Sequence, residues 1–125
     1  MLMNARTAKV VATDIELADT REARRKGLLG RDGLDRAAAL IIRPCFSVHT
    51  VGMRFSIDVV FVDREGVVVR VVTNLQPWRI AAAWGAHAVV ELAAGTAVDV
   101  RRGDRLYLAA QAAPAGTAVS WPLPA

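Results

Sequence analysis

The chain has 125 residues, of which 54% are hydrophobic and 22% charged, with a net charge of +4 and a pI near 10.2. That length suits one domain, 1–125, with a single core that needs no disulfide or metal staple, and the composition excludes a disordered chain. Apart from a cluster at Arg21, Arg24, Arg25 and Lys26 and the pair Arg101 and Arg102, the cations are scattered. Trp78, Trp84 and Trp121 sit in Ala-rich surroundings rather than among those cations, so nucleic acid is not the expected partner.

The opening stretch "MLMNARTAKVVATDIELADT" has no apolar core of a signal peptide, and carries Asp14 and Glu16 early. No apolar run approaches the roughly 20 residues that span a bilayer. The lone Cys45 forms no internal disulfide and fits a reducing compartment. These features together predict a cytoplasmic chain with no membrane span.

Residues 8–17 alternate, with Val11, Thr13, Ile15 and Leu17 on one face, and predict a half-buried strand. In "ADTREARRKGLLG" the period changes. Asp19 or Thr20 caps a short basic helix, Glu22 stands near its start, and Gly27 and Gly30 end it. "AAALIIR" reads as a buried strand stopped by Pro44. "FSIDVVFVD" and "VVVRVVTNL" flank "DREG" and predict a hairpin, with Gly66 supplying a positive φ at the turn. "QPW" breaks the sheet pattern, and "HAVVELAAG" resumes it. "GTAVDVRRGD" fits either a helical turn or a strand. "DRLYLAAQ" gives a last strand after the Gly103–Asp104 turn. The tail from 112 onward, with "WPLPA", either docks through Trp121 or stays mobile.

Chemistry-bearing residues concentrate in "RPCFSVHTVGMRFSIDVVFVD", residues 43–63. Cys45, His49 and Met53 are soft ligands at even spacing. On an extended chain, however, each four-residue step covers about 13 Å, and no second His or Cys-x-x-Cys pair is near. Neither a metal nor another cofactor is expected. A lone Cys in an apolar run reads as a small hydrophobe, since nucleophilic use needs an activating positive environment and an oxyanion hole. His49 and Thr50 supply hydrogen-bonding groups beside a turn. They read either as a buried imidazole that ties a loop or as a ligand contact. Asp58 interrupts an apolar strand. The expectation is a buried, compensated carboxylate that pins the His49–Thr50 loop onto the sheet.

"GLLGR" after the basic helix, then "HTVGMRFSIDVVFVDREGVVVRV", "PW" and "VVELAAGTAVDVRRGD", resemble the bacterial and archaeal family called domain of unknown function 192, over about residues 21–106. The family typically has Gly-Leu-Met, an aromatic and Arg where this chain has Gly27, Leu28, Leu29, Gly30 and Arg31. Many members carry Trp-Met-Lys-Asn-Thr near the position of Ser47, Val48, His49 and Thr50, and a second branch carries the His-Thr form seen here. Ser56 stands where members often have Pro. The resemblance implies a compact, mostly β fold with one or two short helices and no established catalytic activity. Many relatives are exported.

The expected fold is α+β and mostly β, an antiparallel sheet curled into a barrel- or sandwich-like single domain. Helices are too few for parallel crossovers, so antiparallel pairing is expected. Two functions remain open. One is a non-catalytic binding module with a small concave site walled by Val48, His49, Thr50 and Met53, with Trp78, Cys45 and Asp58 as further contacts, for a small polar ligand or a peptide. The other is a hydrolase-type enzyme using His49 and Asp58 as an acid/base pair, which requires the two to meet within about 3 Å or through one water.

Overall fold

The computed structural model describes residues 1–110 and the backbone of 118–119. Its elements are β1 (Leu2–Asn4), β2 (Lys9–Ala12), β3 (Asp14–Ala18), α1 (Arg21–Lys26), β4 (Ala38–Ile42), β5 (Ser47–His49), β6 (Ile57–Val62), β7 (Val68–Leu75), β8 (Ile80–Ala82), β9 (Ala88–Ala93), β10 (Leu106–Ala109) and β11 (Ala118–Val119). Five strands form one sheet in the order β3-β4-β9-β6-β7. Four form a second in the order β11-β10-β1-β2, and β5 pairs with β8 in a separate ribbon. The expectations for the tail and for Trp121 lie outside the described residues, apart from the short β11.

The five-stranded sheet is the middle layer. Every residue of β6 and β9 is buried, as their unbroken β-branched runs require when both faces are covered. Alternation sends Ile41, Val60, Val62, Val90 and Leu92 to one side, where they meet Leu2 and Leu106 of the second sheet. It sends Leu40, Ile42, Val59, Phe61 and Val89 to the other, where they meet Leu28, Val48, Met53 and Ala81. The two sheets thus form a sandwich-like α+β structure. Among the described residues the strands do not close into a barrel.

One pairing departs from the antiparallel expectation. β3 and β4 run parallel, with Asp14 beside Ala38 and Ala18 beside Ile42. The connection through α1 and the loop after it is long enough for a crossover, because a single short helix with a long loop does the work of a full helix. The alternating run 8–17 is also split. Thr13 and Asp14 both donate from their backbone N–H groups to the Ala37 carbonyl, at 2.9 and 3.0 Å. The chain there leaves the second sheet (β2) and enters the first (β3). The first core nonetheless receives Val11, Ile15 and Leu17 from both halves.

α1 is capped by Thr20 rather than Asp19. The Thr20 hydroxyl accepts from the Ala23 N–H at 3.1 Å, and Gly27 closes the helix at φ +47°. Arg24, Arg25 and Lys26 fill the last turn, where cations suit the helix dipole. "GTAVDVRRGD" resolves into turns rather than a helix or strand. In it Asp104 accepts from the Asn4 amide at 2.9 Å, the Arg6 Nε at 2.6 Å and the Arg101 N–H at 2.9 Å. The Arg6 guanidinium, assisted by these donors, holds the Asp104 carboxyl down at about 2. No helix among the described residues is long and apolar enough to cross a membrane.

The β6–β7 hairpin forms as its sequence predicts. Asp63 Oδ1 accepts from the Glu65 and Val67 N–H groups, each at 2.9 Å, and Gly66 sits at φ +85°. A β-branched residue is poorly tolerated there. Gly66→Val is expected to lower stability by roughly 1 kcal/mol or more in urea denaturation; an unchanged midpoint would show that the turn is not strained by a side chain.

Candidate functional site

Two carboxylates interrupt the fully buried central strands, and the register assigns them to opposite faces. In the β6–β9 pairing Asp58 lies beside Leu92, and Glu91 lies beside Val59. Asp58 therefore faces the core shared with the second sheet. Glu91 faces α1 and the β5–β8 ribbon.

Asp58 is fully buried and fully engaged. Its Oδ1 accepts from the Asn74 N–H at 2.8 Å, and its Oδ2 accepts from the Gly95 and Ala97 N–H groups at 2.9 and 3.0 Å. The expectation of a buried, compensated carboxylate agrees with this; the expected partner does not. Asp58 secures the end of β7, with Asn74 at φ +53°, and the turn after β9. It does not pin the His49–Thr50 loop. The reason is parity: Asp58 shares a face with Val60 and Val62, whereas the loop packs on the face of Val59 and Phe61. The acid/base pairing of His49 with Asp58 fails for the same reason, since the sheet stands between them.

The loop is pinned by Thr50 itself. Thr50 is fully buried. Its hydroxyl donates to the Gln76 carbonyl at 2.6 Å and accepts from the Arg79 N–H at 2.9 Å. Its N–H donates to the Arg79 carbonyl at 2.8 Å, and its carbonyl accepts from the Trp78 N–H at 3.0 Å. This clamp joins the ends of β5 and β8 and holds Trp78 at φ +65°. His49, read as either a buried imidazole or a ligand contact, is exposed. Trp78 points outward at 65% exposure and lies outside the cleft described next.

That cleft, of about 290 Å³, opens between the last turn of α1, the segment 44–49 and β9. Its apolar wall is Leu28, Ile42, Val48 and Met53. Its mouth carries Arg24, Arg25 and Lys26, and His49 and Cys45 stand at its side. The cations reach this position because the β3–α1–β4 crossover lays α1 over the β9 face. Leu28, 2% exposed, anchors the turn that follows the helix. The Gly52 turn closes in from the other side, near enough to Leu29 that a Cβ there would touch its side chain at 3.5 Å. Of the sequence candidates, Val48, His49, Met53 and Cys45 meet here; Thr50, Asp58 and Trp78 do not.

Cys45 is not an activated nucleophile. Burial pushes its thiol up, and the Sγ donates to the Ser47 carbonyl at 3.0 Å. Among the described residues no three His, Cys, Asp or Glu side chains converge as metal ligands.

The decisive residue is Glu91, which the sequence reading passed over. It is 4% exposed and lines the cleft, and its Oε2 has no hydrogen-bond partner among the described residues. Burial pushes its carboxyl up to about 7, opposed only by the charge of Arg31. Arg31 is itself held by Glu16 at 2.8 and 2.9 Å. The signal was present in "HAVVELAAG": one ionisable residue in an apolar strand, the same pattern that singled out Asp58.

A sandwich-like, mostly β domain with a cationic, carboxylate-floored cleft is the class these features define. The chain belongs to the DUF192 family, described as "Uncharacterized ACR", whose family model matches residues 2–108. No curated protein matches it. It is similar to a crystal structure of a protein of unknown function from Novosphingobium aromaticivorans DSM 12444. The TM-score is 0.68 at 26% identity, covering 74% of this chain and 72% of that one. It is also similar in fold to a Sinorhizobium meliloti 1021 protein that carries the provisional name transcription regulator. There the TM-score is 0.67 at 24% identity, with 74% and 78% covered. The segments that carry the family resemblance supply Gly27, Leu28, Leu29, His49, Met53 and Glu91 to the cleft.

Asp58→Ala is expected to cost about 1–3 kcal/mol, by leaving three N–H groups unpaired, the buried one of Ala97 among them, without altering the cleft. Denaturant melts combined with amide chemical shifts at residues 28, 48 and 91 check both halves. Glu91 behaves in the opposite way. The unfolded chain releases this proton near pH 4.5 and the folded chain near 7, so between these values the native state binds more protons and stability falls as pH rises. Glu91→Gln removes that loss. Its melting advantage over wild type should grow from about pH 4 to about pH 8, reaching on the order of 1–3 kcal/mol. A pH-independent difference would mean that Glu91 is ionised and compensated in the native state.

Proposed function

We propose that this chain is a non-catalytic binding module whose cleft takes a small polar ligand. The observation that carries the reading is the Glu91 Oε2 atom, buried at the floor of the cleft with no described partner. A buried polar group that its own protein leaves unsatisfied costs free energy, and that cost is recovered when a ligand supplies the missing hydrogen bond. The surroundings have the composition of a binding site: an apolar wall from Val48, Met53, Ile42 and Leu28, with a few polar groups that converge on it. The cleft's volume of about 290 Å³ lies at the small end of the range for ligand pockets, which favours a small molecule over a peptide. The binding reading gains over the hydrolase alternative because Asp58 is committed to backbone donors and the Cys45 thiol is pushed up rather than activated.

The test is a fragment screen by amide chemical-shift mapping on the full chain. Small polar compounds that bind are expected to perturb residues 25–29, 47–49 and 91 together, and to raise the melting temperature with concentration. Glu91→Gln should weaken the hits by about tenfold or more. Hits that map consistently to the opposite face, or that ignore Glu91→Gln, would overturn the assignment.

A further inference from the structure

We infer that the ligand of this cleft is a short zwitterion, a compound of the amino-acid class, whose protonated amine meets the Glu91 carboxylate and whose anionic group meets the cations of α1. This rests on the small-ligand reading and names the chemistry that fits it.

The argument runs from the floor to the mouth. Glu91 is 4% exposed and lines the cleft, and its Oε2 has no hydrogen-bond partner among the described residues. A neutral hydroxyl or amide would satisfy the lone pair but would do nothing to favour the ionised carboxylate, which burial disfavours. A primary ammonium does both at once, and charge-assisted hydrogen bonds are the stronger class. Among the described residues no cation bonds the Oε2, and Arg31, whose charge acts on Glu91, is engaged by Glu16 at 2.8 and 2.9 Å.

At the mouth the sign reverses. Arg24, Arg25 and Lys26 line the cleft, and among the described residues Glu91 is the only carboxylate that does. Arg24 is partly used, donating to the Asp19 carbonyl at 2.7 Å. A simple amine would have to pass three cations with nothing to offset them. A simple anion would be welcomed at the mouth but would bring its negative charge towards the carboxylate at the floor. A molecule with both charges, amine first and anion last, is complementary to both ends. Between them Ile42, Val48 and Met53 present apolar surface, which suits a short aliphatic spacer. The cleft, of about 290 Å³, has room for a molecule of this size.

The experiment is isothermal titration calorimetry on the full chain at neutral pH, with cleft amide shifts recorded in parallel. The probes are 4-aminobutyrate and 5-aminovalerate, and the α-amino acids alanine and valine. Against them stand 4-hydroxybutyrate, butyrate and n-butylamine, which lack the amine, both the amine and the hydroxyl, or the anion. At least one amino acid should bind about tenfold or more tightly than each matched single-charge compound. Glu91→Gln, which keeps the side chain's shape, should abolish that preference while the fold stays intact by amide spectrum. Arg25→Gln combined with Lys26→Gln should weaken amino-acid binding and flatten its salt dependence. Which of the α- and ω-amino acids wins measures the distance from floor to mouth. If hydroxybutyrate or butyrate perturbs the cleft as strongly as the amino acids, the zwitterion inference fails and the small-ligand reading stands. If none of the probes, and no compound of the fragment screen, perturbs the cleft, both fail.

Discussion

The structure depends on the burial of β6 and β9 on both faces. Two adjacent strands with every side chain enclosed oblige the chain to build a cover on each side. The second sheet is one cover, and α1 with the β5–β8 ribbon is the other. Phe61, Val59 and Val60 give this pair its apolar surface, and fully burying such side chains stabilises by roughly 1.5–3 kcal/mol each. A carboxylate placed in that environment is costly unless it is compensated. The two that occur there meet the cost differently. Asp58 is answered by three backbone N–H groups of its own chain, whereas the Glu91 Oε2 has no partner among the described residues.

The covers differ in kind as well. The second sheet meets the central one through Leu2 and Leu106, both fully buried. The other cover is assembled from short pieces: a six-residue helix, a turn and a two-stranded ribbon. Short pieces do not tile a sheet completely, and the gap they leave lies over Glu91. Thr50 stabilises this assembly at its far edge. Four hydrogen bonds from one residue hold the ribbon ends together and hold the backbone of Trp78 in a conformation that bulky residues seldom adopt. The cleft is therefore bounded by elements whose positions are fixed by hydrogen bonds and buried anchors rather than by a large core of their own.

Much of this was legible in the sequence where local chemistry decides. The hairpin around Gly66, the capped helix and the strands around "AAALIIR" and "HAVVELAAG" carry their own signals in turn residues, caps and β-branched runs. The pairs that depend on distant partners were not legible. β1 is three residues long and exists because β10, more than a hundred residues away, pairs with it. β5 and β8 are equally short, and "QPW" reads as an end to the sheet although β8 follows directly. The parallel β3–β4 pair was missed because one helix of six residues looked insufficient for a crossover. The site residues divide along the same line. Cys45, Val48, His49 and Met53 were found through their clustering in sequence, whereas Glu91 lies far along the chain and enters the cleft only through the sheet register.

The placement of Glu91 and Asp58 also shows why residue type and burial together do not identify a functional carboxylate. Both are acidic, both are at most 4% exposed, and they stand on neighbouring strands one register step apart. The pleat turns that single step into opposite faces. On one face the nearest loops, at Asn74 and at Gly95–Ala97, bend inward and direct their N–H groups at Asp58. On the other the nearest segment is the basic end of α1, whose cations remain at the rim and whose backbone is spent on its own helix and cap. Burial holds the Glu91 carboxyl up at about 7, opposed by the charge of Arg31. The fold that compensates one carboxylate from within leaves the Oε2 of the other without a partner among the described residues.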